Sequence, residues 1–215
     1  MIATFAIEIG LLLYTIIRYR MSPATRIVVA TLFCLAFFQF AEFNVCEGSN
    51  GLNEFYSRLG FIAITLLPPL GIHLVRTISG RGSKWLVWTA YATALIFIVT
   101  FGFHETAFHS NVCAGNYAVF QLMPNLGGLF FGYYYFWLLV GIGMCLYYSV
   151  KGSQKVREAL ALQAFGLLSF VLPTGIVNAV KPETINAIPS IMCGFAVIYA
   201  LVLVFGITPR ILKQK

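Results

Sequence analysis

FYSRLGFIAITLLPPLGIHLVRTIS, residues Phe55 to Ser79, decides the fold. A run this long and apolar crosses a bilayer, which takes about 20 residues at roughly 1.5 Å each. It also carries Pro68 and Pro69, which have no amide hydrogen, so the carbonyls of Ile64 and Thr65 lose their usual helical partners and the axis bends. In lipid those carbonyls need a donor from a neighbouring helix, a water or a hydroxyl, which places the segment inside a bundle. Its ends are polar: Glu54 and Arg58 stand at i,i+4 spacing on one side, and His73 and Arg76 on the other. A bent central helix with polar ends suits signalling or ligand gating, and it equally suits plain packing.

Working outward, apolar runs follow one another at Ile2 to Ile17, Ile27 to Phe43, Phe55 to Ser79, Trp85 to Phe103, Leu126 to Val150, Leu160 to Val180 and Ile188 to Ile207. The chain is 60% hydrophobic and only 10% charged, against about a quarter charged in soluble domains, so it is an integral membrane protein. The connectors alternate in charge. Arg18, Arg20 and Arg26; Arg76, Arg81 and Lys84; Lys151, Lys155 and Arg157; and Arg210, Lys213 and Lys215 all fall on one side, twelve of the 14 basic residues. The other side has Arg58 and Lys181, with Glu42, Glu47, Glu54, Glu105 and Glu183. The positive-inside rule then predicts an all-α bundle of seven transmembrane helices, one domain over residues 1–215, with the N-terminus outside and the C-terminus cytoplasmic. The expected location is the cell inner (cytoplasmic) membrane. The net charge of +7 is accounted for by this topology and calls for no nucleic acid. The first run has Arg18 and Arg20 after it and no basic residue before it, the reverse of a cleavable signal peptide, and is kept as a span.

Five cysteines divide the same way. Cys34, Cys145 and Cys193 fall in apolar spans, where a thiol behaves as a small hydrophobe. Cys46 and Cys113 lie in two different outer loops on the oxidising side, and a disulfide between them is expected; the alternative is two free loop thiols. In the fifth span Gly128 and Gly132 form a small-xxx-small step, and its tyrosines read as an interfacial belt in preference to an aromatic ligand box. Pro173 in the sixth span, followed by Thr174 and Asn178, frees the carbonyl of Ser169 and predicts a second bend.

The one constellation that could carry chemistry is His104, Glu105, His109 and Cys113, with Glu42, Glu47 and Glu54 in reach through the loops. His104 and His109 are five apart, about 140° around a helix, unlike a zinc pair at i,i+4. They read as solvated loop histidines, and no metal or catalytic role is expected. A haem shared by His73 and His104 would need ligands at opposite membrane faces, and Ile188 to Ile207 has no lysine for a retinal Schiff base. No cofactor is therefore expected. Glu8 is the sharpest intramembrane residue, roughly 10 Å along the first helix. An ionisable group at that depth defaults to function; the plainer reading is a protonated or snorkelling side chain.

Taken together, RLGFIAITLLPPLGIHLV from Arg58, REALALQAFGLLSFVLPTGIVN from Arg157 and FGITPRILKQK from Phe205 resemble the N-terminal seven-transmembrane sensor region of bacterial histidine kinases. In that family a similar Pro-containing exit leads into a signalling helix and a kinase, whereas these 215 residues hold no catalytic histidine box, ATP-binding, cyclase or DNA-binding domain. The resemblance implies a membrane-embedded sensor or receptor module that is not itself an enzyme and signals through a separate membrane or cytoplasmic partner. The alternative is a non-catalytic accessory subunit of a larger membrane complex. A small molecule, lipid or partner chain is expected to engage the outer half, bounded by Glu8, Gln39, Glu42, Arg58, His104 and Asn178, because polar groups there must pair or meet water.

Overall fold

A computed structural model describes residues 1–48, 52–104, 106–114 and 117–212, so Glu105, Lys213 and Lys215 lie outside the described residues. The helices are α1 (Ile2–Arg18), α2 (Pro23–Glu47), α3 (Asn53–Thr65), α4 (Leu67–Ser79), α5 (Lys84–Phe103), α6 (Pro124–Lys151), α7 (Gln154–Val180), α8 (Ile188–Leu201) and α9 (Thr208–Leu212). Six helical stretches are long and apolar enough to cross a membrane; α3 with α4 form one of them, and α8 through α9 another. Helix α1, at 17 residues, reaches the lower end of the spanning range and completes seven spans.

Local sequence explains the starts and stops. Ser22 caps α2 by accepting the Thr25 amide at 3.1 Å, with Pro23 at the first helical position where its missing N–H costs nothing. Helix α4 ends at Gly80, whose left-handed φ of 61° turns the chain back into α5. The double proline divides the third span: α3 stops at Thr65 and α4 begins at Leu67, with Pro68 and Pro69 in its first turn. The Thr65 carbonyl, left without a donor by Pro69, accepts the Tyr133 hydroxyl of α6 at 2.8 Å. Tyr133→Phe is thus expected to destabilise the bundle by about 1–2 kcal/mol, since a buried carbonyl loses its partner; the melting temperature in detergent checks this, and unchanged melting would mean the carbonyl is satisfied otherwise. Pro173 lies inside α7, whose helix continues through it from Gln154 to Val180.

Burial orders the bundle. Helix α2 and the α3–α4 span have 67% of their most apolar stretch buried, against 17% for α5, which is therefore peripheral and faces lipid along most of its surface. Between α5 and α6 the chain forms an antiparallel hairpin, β1 (Phe108–Ala114) and β2 (Tyr117–Leu122), an element the apolar-run reading did not foresee. The Cys46–Cys113 disulfide, Cα–Cα 5.7 Å, ties the end of α2 to β1. Beneath the hairpin the buried Phe61 ring meets Phe101 and Phe108, both at 5.1 Å, Phe120 at 5.2 Å and Phe130 at 5.5 Å. This aromatic plug seats the hairpin on α3, α5 and α6. The opposite end of the bundle is basic; there Arg81 donates to the Lys151 carbonyl at 2.9 Å and Arg210 meets Glu158 at 3.5 Å.

Between α8 and α9, Val202–Ile207 winds as a π-helix. Thr208 Oγ1 donates to the Leu203 carbonyl five residues back at 2.7 Å, and Tyr19 from the end of α1 donates to the Val204 carbonyl at 3.1 Å.

Candidate functional site

At the hairpin end, α1, α2, α8 and β2 converge on a polar nest in an otherwise apolar interior. Thr4, one helical turn before Glu8, donates to Gln39 Oε1 at 2.8 Å and sets α1 against α2. Gln39 and Glu42 are three apart on α2 and share a face. Glu42 Oε1 accepts the Ala118 amide of β2 at 2.9 Å, and the Ser190 hydroxyl of α8 donates to the Ala118 carbonyl at 2.8 Å. One strand residue is thereby held from both sides, which fixes the hairpin over the helices. Gln39 and Glu42 are each 2% exposed.

Glu8 is different. It is fully buried, it lies within electrostatic reach of Glu42 and Cys193, and neither of its carboxyl oxygens has a hydrogen-bond partner among the described residues. A buried carboxyl left this way costs free energy that a packed apolar side chain would not, so the arrangement presents an unpaired carboxyl group to any polar group that enters. Cys193 lies one turn along α8 from Ser190 and lines two apolar clefts running down between the helices towards Tyr134 and Met192. Neither cleft has room for more than about one water-sized molecule.

The other expected site residues sit elsewhere on the same end. Arg58 joins α3 to α5: its Nε donates to Glu54 at 3.0 Å and Nη1 to the Phe101 carbonyl at 2.8 Å. His104, at the exposed end of α5, has Nδ1 3.2 Å from the Thr106 hydroxyl. Asn178, near the end of α7, accepts from Thr184 Oγ1 at 2.7 Å. Glu8, Gln39 and Glu42 thus form one cluster, while His104 and Asn178 bond locally. Among the described residues no three His, Cys, Asp or Glu side chains gather as metal ligands; Glu105 and the side chains of His109 and Glu183 lie outside that description.

Three members of the nest escaped sequence reasoning: Ala118, Ser190 and Cys193. Ser190 follows Pro189 and reads only as a helix start, Cys193 reads as a small hydrophobe, and Ala118 contributes its backbone alone. Residues 1–208 match the family described as the N-terminal 7TM region of histidine kinase. No curated protein matches the chain.

Proposed function

The chain belongs to the family of N-terminal 7TM regions of histidine kinases, and from that premise we propose that it is a sensor module whose ligand or partner engages the hairpin end of the bundle. The family implies signalling to kinase partners, and the apolar helices imply a lipid bilayer around them. In this reading the hairpin end faces outward, since twelve of the 14 basic residues lie in the connectors of the opposite side and a disulfide at the hairpin suits an oxidising compartment.

One observation carries the reading: Glu8, fully buried beside Glu42 with both oxygens unpartnered among the described residues. Intramembrane acids that are costly and unsatisfied mark functional positions. A ligand or partner chain bringing a hydrogen-bond donor would satisfy Glu8 and draw α1 towards α2 and α8. The break at Leu66 and the proline of α7 provide the joints through which such a movement reaches the basic end, where Pro209 opens the exit helix.

The test exploits the conflict between stability and function. Glu8→Met, a straight-chain replacement that adapts to its surroundings, is expected to raise stability by about 1–3 kcal/mol because it removes an unsatisfied buried carboxyl. The same variant is expected to lose whatever co-purifies with the wild-type chain from native membranes, identified by mass spectrometry. Unchanged or lower melting temperature together with identical bound material would show that Glu8 is an ordinary packed residue and would remove the proposal.

A further inference from the structure

A second site lies at the opposite end of the molecule and owes nothing to Glu8. Helices α4 and α5, joined by the Gly80–Ser83 turn, diverge to leave a cleft of about 310 Å³ lined by His73, Arg76, Lys84, Val87, Trp88 and Tyr91. His73 and Arg76 are three apart on α4, and Lys84, Val87, Trp88 and Tyr91 recur at helical spacing on α5, so each helix turns one face to the cleft.

Its charge is one-sided. Arg76 donates through Nε to the Gly82 carbonyl at 3.4 Å, which orients the guanidinium and leaves its terminal nitrogens without a partner among the described residues. Lys84 is exposed, and neither cation has a carboxylate partner among the described residues. All seven acids of the chain are glutamates, and at this end Glu158 meets Arg210 instead. The Tyr91 hydroxyl lies 3.3 Å from His73 Nδ1 and holds the far wall.

The cleft's flank is apolar and exposed. Trp85 and Trp88 are 81% and 70% exposed, and Leu95 and Val99 continue the Trp88 face along α5 towards the membrane interior. Two unpaired cations at a helix end, bordered by tryptophans of interfacial type and followed by an open hydrocarbon track, match a phosphate with acyl chains attached. We propose that this cleft binds an anionic phospholipid, its phosphate between Arg76 and Lys84 and an acyl chain along Trp88, Leu95 and Val99. A free phosphate would leave the α5 track unused.

Native mass spectrometry tests this on protein reconstituted in equal phosphatidylglycerol and phosphatidylcholine and then stripped with detergent. The wild type is expected to retain phosphatidylglycerol selectively, and Arg76→Gln with Lys84→Gln to lower that retention roughly thirtyfold. Arg210→Gln, at the same end but outside the cleft, is expected to retain the lipid as the wild type does. Lys84→Gln alone, at an exposed position, is expected to cost roughly fivefold and carries the test if the double variant fails to fold. Equal retention of the two lipids, or undiminished retention in the folded Arg76→Gln, Lys84→Gln double variant or in Lys84→Gln alone, overturns the proposal. Displacement of the lipid by excess inorganic phosphate overturns it as well, by marking a site for the free anion.

Discussion

Loss of the Cys46–Cys113 bond, by reduction or by Cys46→Ser, is expected to destabilise the protein by up to about 4 kcal/mol, the chain-entropy value for a closed loop of this length. The bridge spans 67 residues and encloses α3, α4 and α5. That figure is an upper bound, because helices that remain inserted in lipid already restrict the unfolded chain. The damage would concentrate at the hairpin. Phe108 and Phe120 cover the Phe61 cluster, and the grip of Glu42 and Ser190 on Ala118 depends on the strand staying in place. Melting of the oxidised protein against Cys46→Ser measures the effect, and equal melting would mean that packing alone holds the hairpin. A reductant that cannot cross membranes, applied to intact cells, is expected to expose both thiols to alkylation. Thiols released only by a membrane-permeant reductant would reverse the proposed orientation.

Gly166→Leu is expected to cost about 3 kcal/mol or more, by forcing bulk into a filled space. A Cβ at Gly166 of α7 would stand 2.5 Å from Tyr199 Cδ2 of α8, closer than atoms approach without displacement. The Tyr199 ring has little freedom to retreat: it is 4% exposed, its hydroxyl accepts from Gln163 Nε2 at 2.7 Å, and it packs on Phe170 at 5.7 Å. Gly175, on the same helix, has open space around it and is the control; Gly175→Ala should melt at or slightly above the wild-type temperature through better helix propensity. If Gly166→Leu melted with the wild type, the close approach of α7 and α8 would be wrong.

The spans were legible because a membrane helix writes itself as a long apolar run, and the interrupted third span because two prolines in such a run leave no other choice. The disulfide was legible from compartment logic, since two of the five cysteines fell outside the spans and on one side. The donor to Thr65 was legible only as a need; its source, Tyr133, read as one of several interfacial tyrosines. The hairpin was not legible as an element, because two strands of seven and six residues between helices carry little signal beside runs of twenty. Of the nest, Glu8, Gln39 and Glu42 were legible as polar groups of one half of the bundle, whereas Ala118, Ser190 and Cys193 were not, and Ala118 acts through its peptide group, which leaves no mark in a pattern of side chains.

The π turns of Val202–Ile207 have a consequence of phase. A segment bonded i to i+5 advances less per residue than an α-helix, and over six residues the shortfall accumulates to about 100°, one α-helical step. Helix α9, Thr208–Leu212, therefore leaves the bundle at an azimuth displaced by that step from the one α8 would dictate. At this angle Arg210 reaches Glu158 of α7 and Ile211 packs on the core. Tyr19 pins the Val204 carbonyl from α1, so the first helix grips the segment where the angle is set. Winding those six residues back to α-helical pitch would swing α9 around its own axis without moving it along the helix axis by more than a few ångströms, a rotation in place of a piston stroke.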